Sequence, residues 1–163
     1  MSSGPEHNHV EQPFIDQLIS MGWKWTTGYL DDPTATGRSS FREVLLVDDL
    51  KRALRLINLD AQGKPWLDDA RIATAVSALE RISKPKLMEA NQAATEILLK
   101  GIPVDGLPGW DGGRTQTVSF IDWNHPENNT FRVIDQFKVE EPGGQVHKHI
   151  IPDLVLFVNG IPL

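Results

Sequence analysis

Ile151-Pro152-Asp153-Leu154-Val155-Leu156-Phe157-Val158-Asn159-Gly160-Ile161-Pro162-Leu163 is the stretch on which the fold turns. Leu154 to Val158 is an unbroken apolar run, and such a strand needs cover on both faces, so it belongs inside a sheet. Asn159-Gly160 follows at once. That pair is the strongest short hairpin signal, because a type I′ turn requires φ > 0 at both central residues. Ile161, Pro162 and Leu163 then begin a returning strand. Asp153 stands at the mouth of the first strand. A carboxylate at the edge of a rigid hairpin is a common way to hold a divalent metal, and an Asp bounding a strand also serves as a turn-side cap.

Upstream, β-branched and aromatic residues mark two more strands, Thr115 to Asp122 and Asn129 to Glu140. Turn chemistry separates them at Asn124-His125-Pro126-Glu127-Asn128, and Glu141-Pro142-Gly143-Gly144 separates the second from the terminal hairpin. Before Gly101 the periodicity is helical. Residues 1–8 read as a flexible tail. A helix starting near residues 9–12 follows, with Val10, Phe14, Leu18 and Met21 on one stripe, Pro13 in its first turn and Gly22 at its end. Thr26 to Ser40 reads as loop. Further helical stripes are Val47, Leu50, Leu54, Ile57; then Ile72, Ala75, Val76, Leu79, Ile82, opened by Asp68 and Asp69 and broken by Pro85; then Leu87, Ala90, Ala94, Ile97, Leu98. Helices first and an antiparallel meander after them define an α+β fold.

At 163 residues the chain is long enough for one domain with a real core, without disulfide or metal staples. It has no cysteine, which removes disulfide frameworks and thiolate metal sites and fits a reducing cytoplasm. No apolar run approaches a membrane span, and the polar start has no signal-peptide core. The net charge of −6 argues against a stand-alone nucleic-acid binder, whose phosphate contacts need clustered Lys and Arg.

Few residues carry chemistry. Asp135 is the one acid on the apolar face of the alternating series Phe131, Val133, Asp135, Phe137, Val139, where a charge must be paired, bulged out or functional. Gln136 falls on the other face with Arg132 and Lys138, where polar residues are routine. His147 and His149 make a His-x-His pair, but a zinc site wants three or four ligands and none further is near. The five Trp are dispersed and read as core. His7-Asn8-His9 spells a nuclease motif's name without its spacing. Gly63-Lys64 lacks the upstream glycine of a phosphate loop, and neither a G-x-S-x-G elbow nor an H-E-x-x-H helix occurs. The chain therefore carries no nucleotide-binding residues.

Several stretches in order resemble the R subunit of type I restriction enzymes. They are Val10-Glu11-Gln12-Pro13-Phe14-Ile15-Asp16-Gln17-Leu18 with Met21-Gly22-Trp23, and Phe41 to Leu46 with Ala53-Leu54 and Asn58. Asn91 with Leu98 to Gly101 follows. The fullest likeness is Phe120-Ile121-Asp122-Trp123 with Asn124 to Asn129, then Phe131 to Phe137, Pro152-Asp153 and Val158 to Leu163.

The resemblance implies that residues 9–163 form part of that subunit's N-terminal nuclease domain. Its core would be of the PD-(D/E)xK class, with N-terminal helices on a mostly antiparallel sheet, incomplete at its C-terminal end. It implies Mg2+ as cofactor, Asp153 as a catalytic metal-ligand position and Glu11 as a second metal ligand on the first helix; Asp135 and Gln136 are secondary candidates. The motif's second acid and its Lys are expected a few residues beyond Leu163, and ATP would act through motor domains outside this chain. The implied partners are double-stranded DNA and the methyltransferase and specificity subunits of the complex, in the cytoplasm and without a membrane. The implied activity is cleavage of unmodified foreign DNA, weak or absent in this stretch alone. A non-catalytic relative acting as an interaction module is the alternative; an unrelated PD-(D/E)xK nuclease would share the hairpin but not Phe120 to Gln136. The short returning strand also predicts self-association through an unpaired edge, or a strand supplied from elsewhere.

Overall fold

The computed structural model describes residues 10–28, 31–82, 86–140 and 149–163, except the side chain of Trp110. The tail, His147 and the Glu141 to Gly144 turn lie outside the described residues. In chain order the elements are α1 (Gln12–Ser20), β1 (Lys24–Thr27), α2 (Val47–Ile57), α3 (Asp69–Glu80), α4 (Leu87–Lys100), β2 (Ile102–Asp105), α5 (Pro108–Asp111), β3 (Thr115–Val118), β4 (Phe131–Asp135), β5 (Val139–Glu140), β6 (His149–Ile150), β7 (Leu154–Val158) and β8 (Ile161–Pro162). Short 3-10 turns lie at Pro33–Thr36 and Pro126–Asn128. The chain divides into two compact units, one made of the residues up to Asp48 with Thr130–Leu163, the other of Asp49–Asn129.

The first unit is built on a four-stranded sheet of order β1-β4-β7-β8. β7 is antiparallel to both β4 and β8, while β1 lies parallel to β4 with Thr27 opposite Asp135. This is the α+β, mostly antiparallel arrangement that the sequence predicts. The apolar run of β7 is an interior strand, as its composition requires. Asn159 and Gly160 have φ of 53° and 79°, which makes the hairpin turn type I′. Asn159 does more than turn the chain. It is fully buried, its N–H donates to the Thr130 carbonyl at 2.8 Å, and its Oδ1 accepts the Thr130 N–H at 2.8 Å. The hairpin tip is thereby fastened to the start of β4.

Leu46, Ile134, Phe137 and Phe157 form a buried cluster in this unit, with Val139 and Val155 packed against it. Ile15 and Leu18 are the buried residues of α1, whereas Val10, Phe14 and Met21 of the expected stripe are exposed. The apolar arc of α1 is wide enough for two neighbouring stripes, and Leu18 belongs to both. β1 is a correction as well, because the expected loop began at Thr26 and the strand runs to Thr27. Its hydrogen-bond partners lie on β4, more than a hundred residues away, so no local pattern announces it.

In the second unit, α2 buries Leu50, Ala53 and Leu54, and α3 buries Ile72, Ala75 and Val76, all close to the stripes predicted. Asp68 caps α3, its Oδ1 accepting the Arg71 N–H at 2.9 Å. β3 does not join a meander with β4. It pairs antiparallel with β2, which the sequence reading missed because Pro103 within it argues against a strand. In α4 no described residue is fully buried, but Ala90, Ala94, Ile97 and Leu98 of the predicted stripe are half-buried, and only Leu87 of it is exposed.

Gly28 holds β1 against β4. Its N–H is shared by the Asp135 carbonyl oxygen at 2.9 Å and the Asp135 Oδ1 at 3.0 Å. A Cβ at position 28 would stand 2.5 Å from that carbonyl oxygen and 2.8 Å from that of Gln136, both of them backbone. Gly28→Ala should therefore lower stability by roughly 2 kcal/mol, as overpacking does where backbone cannot give way. Thermal unfolding checks this, with Gly37→Ala, which meets nothing within 4 Å but has a φ of 78°, separating steric contact from backbone conformation.

Candidate functional site

The candidate site residues Asp135, Gln136 and Asp153 meet where β4 ends and β7 begins. Asp135 is 2 % exposed, and one oxygen of its carboxyl group accepts the Gly28 N–H, so this buried polar group has a hydrogen-bond partner. Asp135 is the last residue of β4 and lies opposite Leu154 in register.

Gln136 is not the ordinary strand residue that alternation predicts. Its φ is 49°, a left-handed conformation that costs a residue with a Cβ roughly 1–2 kcal/mol. This residue ends β4 and breaks the expected continuous strand Asn129 to Glu140. It also resets the alternation, and Phe137 joins Ile134 and Phe157 in the core instead of following Asp135. The turn brings two backbone donors onto the opposite chain: Gln136 N–H to the Asp153 carbonyl at 2.8 Å, and Phe137 N–H to the Pro152 carbonyl at 3.1 Å.

Asp153 occupies a bend just before β7 and is exposed. Among the described residues its carboxylate has one hydrogen-bond partner, the Gln136 side-chain amide, whose Nε2 lies 3.4 Å from Oδ1. Glu11 is at the N-terminal boundary of α1, half-buried, and makes no side-chain cap hydrogen bond to that helix. His149, on β6, is exposed and pairs in register with Glu140.

The metal reading can be tested on this donor set. Mg2+ takes six oxygen ligands, keeps several waters and needs only one or two protein carboxylates. Asp153, exposed and bound by a single long amide contact, fits one such position. The described residues nevertheless contain no group of three His, Asp or Glu side chains able to hold a metal ion. Among the described residues, an exposed carboxylate at Asp153 is thus present without a three-residue donor cluster.

Arg38 escaped the sequence reading altogether. It is 3 % exposed, and its guanidinium donates to Thr36 Oγ1 at 2.8 Å and to the Glu43 and Lys138 carbonyls at 3.0 Å. It lies 3.8 Å from the centre of the Phe137 ring. Burial lowers its pKa to about 10, against a smaller raising effect of Glu43. Its place in a run that reads as loop gave no sign of burial. By these bonds Arg38 ties the loop before α2 to the chain just after Gln136, and so braces the site from behind.

The family-model description that matches residues 5–163 is "Type I restriction enzyme R protein N terminus", and the chain belongs to this family. The type I restriction enzyme HindI endonuclease subunit of Haemophilus influenzae is 28% identical over 159 residues, which is 96% of this chain and 14% of that protein. A Methanocaldococcus jannaschii protein bearing the name type I restriction enzyme MjaIXP endonuclease subunit is 28% identical over 156 residues, 94% of this chain and 14% of its own. The chain thus spans about 14% of the length of these relatives. No helix among the described residues is long and apolar enough to cross a membrane.

Glu43 supplies a pH-dependent element of this framework. Hydrogen bonds from the Ser39 hydroxyl and backbone N–H, aided by the nearby Arg38 charge, hold its carboxyl below the ordinary value of 4.5. A lowered folded value means that this stabilisation is complete above the ordinary value and is lost as pH falls through the folded one. Glu43→Gln should accordingly flatten the acid limb of a stability-versus-pH curve, as followed by denaturant unfolding between roughly pH 6 and pH 3. An unchanged acid limb would contradict this.

Proposed function

We propose that this chain is the N-terminal part of a type I restriction endonuclease R subunit and takes part in Mg2+-dependent cleavage of unmodified foreign double-stranded DNA. Cleavage would follow ATP-driven translocation by the whole complex, in the cytoplasm, with methyltransferase and specificity subunits as partners and the ATP site in other domains. One observation carries this reading: within a chain of this family, the Asp of Pro152-Asp153 presents an exposed carboxylate at a pinned sheet end.

Asp153 is the ligand position we assign to the metal. Glu11 is the second. The helix α1 is closed by the Trp23 N–H bonding back to the Leu18 carbonyl at 3.0 Å, and β1 starts at the next residue. A chain that reverses so tightly carries the start of α1 back toward the end of β1, and Thr27 at that end is opposite Asp135. This topology supports a role for Glu11 at the same edge. When bound, the metal would polarise the scissile phosphate and supply hydroxide from a coordinated water. The chain's own task is to hold the carboxylates at a fixed edge, with that of Asp153 exposed to solvent and substrate.

The net charge of −6 favours a second reading, in which the chain is an interaction module without catalytic power. The two readings part on one substitution. In the R subunit assembled with its partners, Asp153→Ala should reduce DNA cleavage by about 100-fold or more while ATP hydrolysis continues. Cleavage at the parental rate would leave the interaction module standing. The 163-residue chain alone should nick plasmid DNA weakly or not at all with Mg2+.

A further inference from the structure

The geometry points to Gln136 as a positioning residue for Asp153. The inference rests on the reading of Asp153 as a metal-ligand position and adds the group that aims it. A Gln in the left-handed region is uncommon, because its Cβ crowds the following carbonyl, and such outliers persist where the surroundings over-determine them. A turn alone would be met at lower cost by Gly or Asn. Gln136 instead makes two contacts with the same residue, one from each end. Its backbone N–H fixes the Asp153 carbonyl at 2.8 Å, and its side-chain Nε2 reaches the Asp153 carboxylate at 3.4 Å.

Two attachments to one residue do what neither does alone. The backbone bond sets where the Asp153 main chain lies at the mouth of β7. The side-chain amide then selects one carboxylate rotamer by holding Oδ1. An exposed Asp without that contact samples several rotamers in water, and only some direct oxygen toward a bound cation. An amide N–H also suits this task electrically. It donates to a carboxylate without neutralising it, so the charge that attracts a cation is kept. The framework behind Gln136 is stiff, with Asp135 clamped by Gly28 on one side and Phe137 packed in the core on the other.

Mn2+ is the probe, its binding to the chain measured by electron paramagnetic resonance alongside thermal unfolding. Gln136→Gly removes the amide but suits the left-handed backbone, and Gln136→Asn tolerates that backbone and keeps a shorter amide. Gln136→Gly should weaken Mn2+ binding about 10-fold with no loss in melting temperature, and Gln136→Asn should recover part of the affinity. Binding by Gln136→Gly equal to the parent overturns the inference, as does a variant that loses affinity and stability together, the mark of a merely structural role. Asp153→Ala keeps the two levels apart. If the parent and Asp153→Ala bind Mn2+ alike, the metal reading fails and this inference with it. If Asp153→Ala alone abolishes binding and Gln136→Gly does not weaken it, only the role of Gln136 falls.

Discussion

The end of β4 is held from both sides, and the candidate site follows from that constraint. On one side the Gly28 N–H is divided between the Asp135 carbonyl and its buried carboxylate. On the other, Gln136 and Phe137 donate to Asp153 and Pro152. An acid buried in a sheet would ordinarily be a liability, because removing a carboxylate from water costs several kcal/mol unless it is paired. Here the same carboxylate secures the strand that leads into the turn at Gln136. The exposed acid across that turn, Asp153, inherits a fixed position from the buried one.

The two acids differ in their surroundings. Asp135 is buried, and one of its carboxyl oxygens accepts the Gly28 N–H. Asp153 is exposed and only lightly engaged. Arg38 contributes from the rear of the turn, where its bonds to the Glu43 and Lys138 carbonyls fasten an irregular segment that has no strand ladder of its own. A guanidinium suits this post because its planar fork can donate in several directions while stacking on an aromatic ring.

Much of this was legible in the residues. The interior strand, its Asn-Gly turn and the helices α2, α3 and α4 follow from apolar runs, turn chemistry and helical period, all of which are local signals, whereas the single turn of α5 carries no such period. The parts that were not legible depend on distant pairing. β1 is a strand because β4 lies beside it, and β2 tolerates Pro103 because the ribbon it makes with β3 has only two strands. Gln136 was hidden for a related reason. Nothing in Asp135-Gln136-Phe137 announces a left-handed residue, since Gln is not a turn former, and period-two alternation runs smoothly through it. Arg38 was hidden because charge predicts exposure, and its burial comes from carbonyls that only the folded chain assembles. The role proposed for Asp153 comes from family likeness and not from its local pattern, which serves a turn cap equally well.

Paramagnetic broadening by Mn2+ in the NMR spectrum of the chain tests the central claim most directly, because it locates a cation without relying on catalysis. The account predicts that signals of Asp153 and the side-chain amide of Gln136 broaden first, at substoichiometric metal. Broadening centred on the acidic turn around Asp122 and Glu127, with Asp153 and Gln136 unaffected, would contradict it.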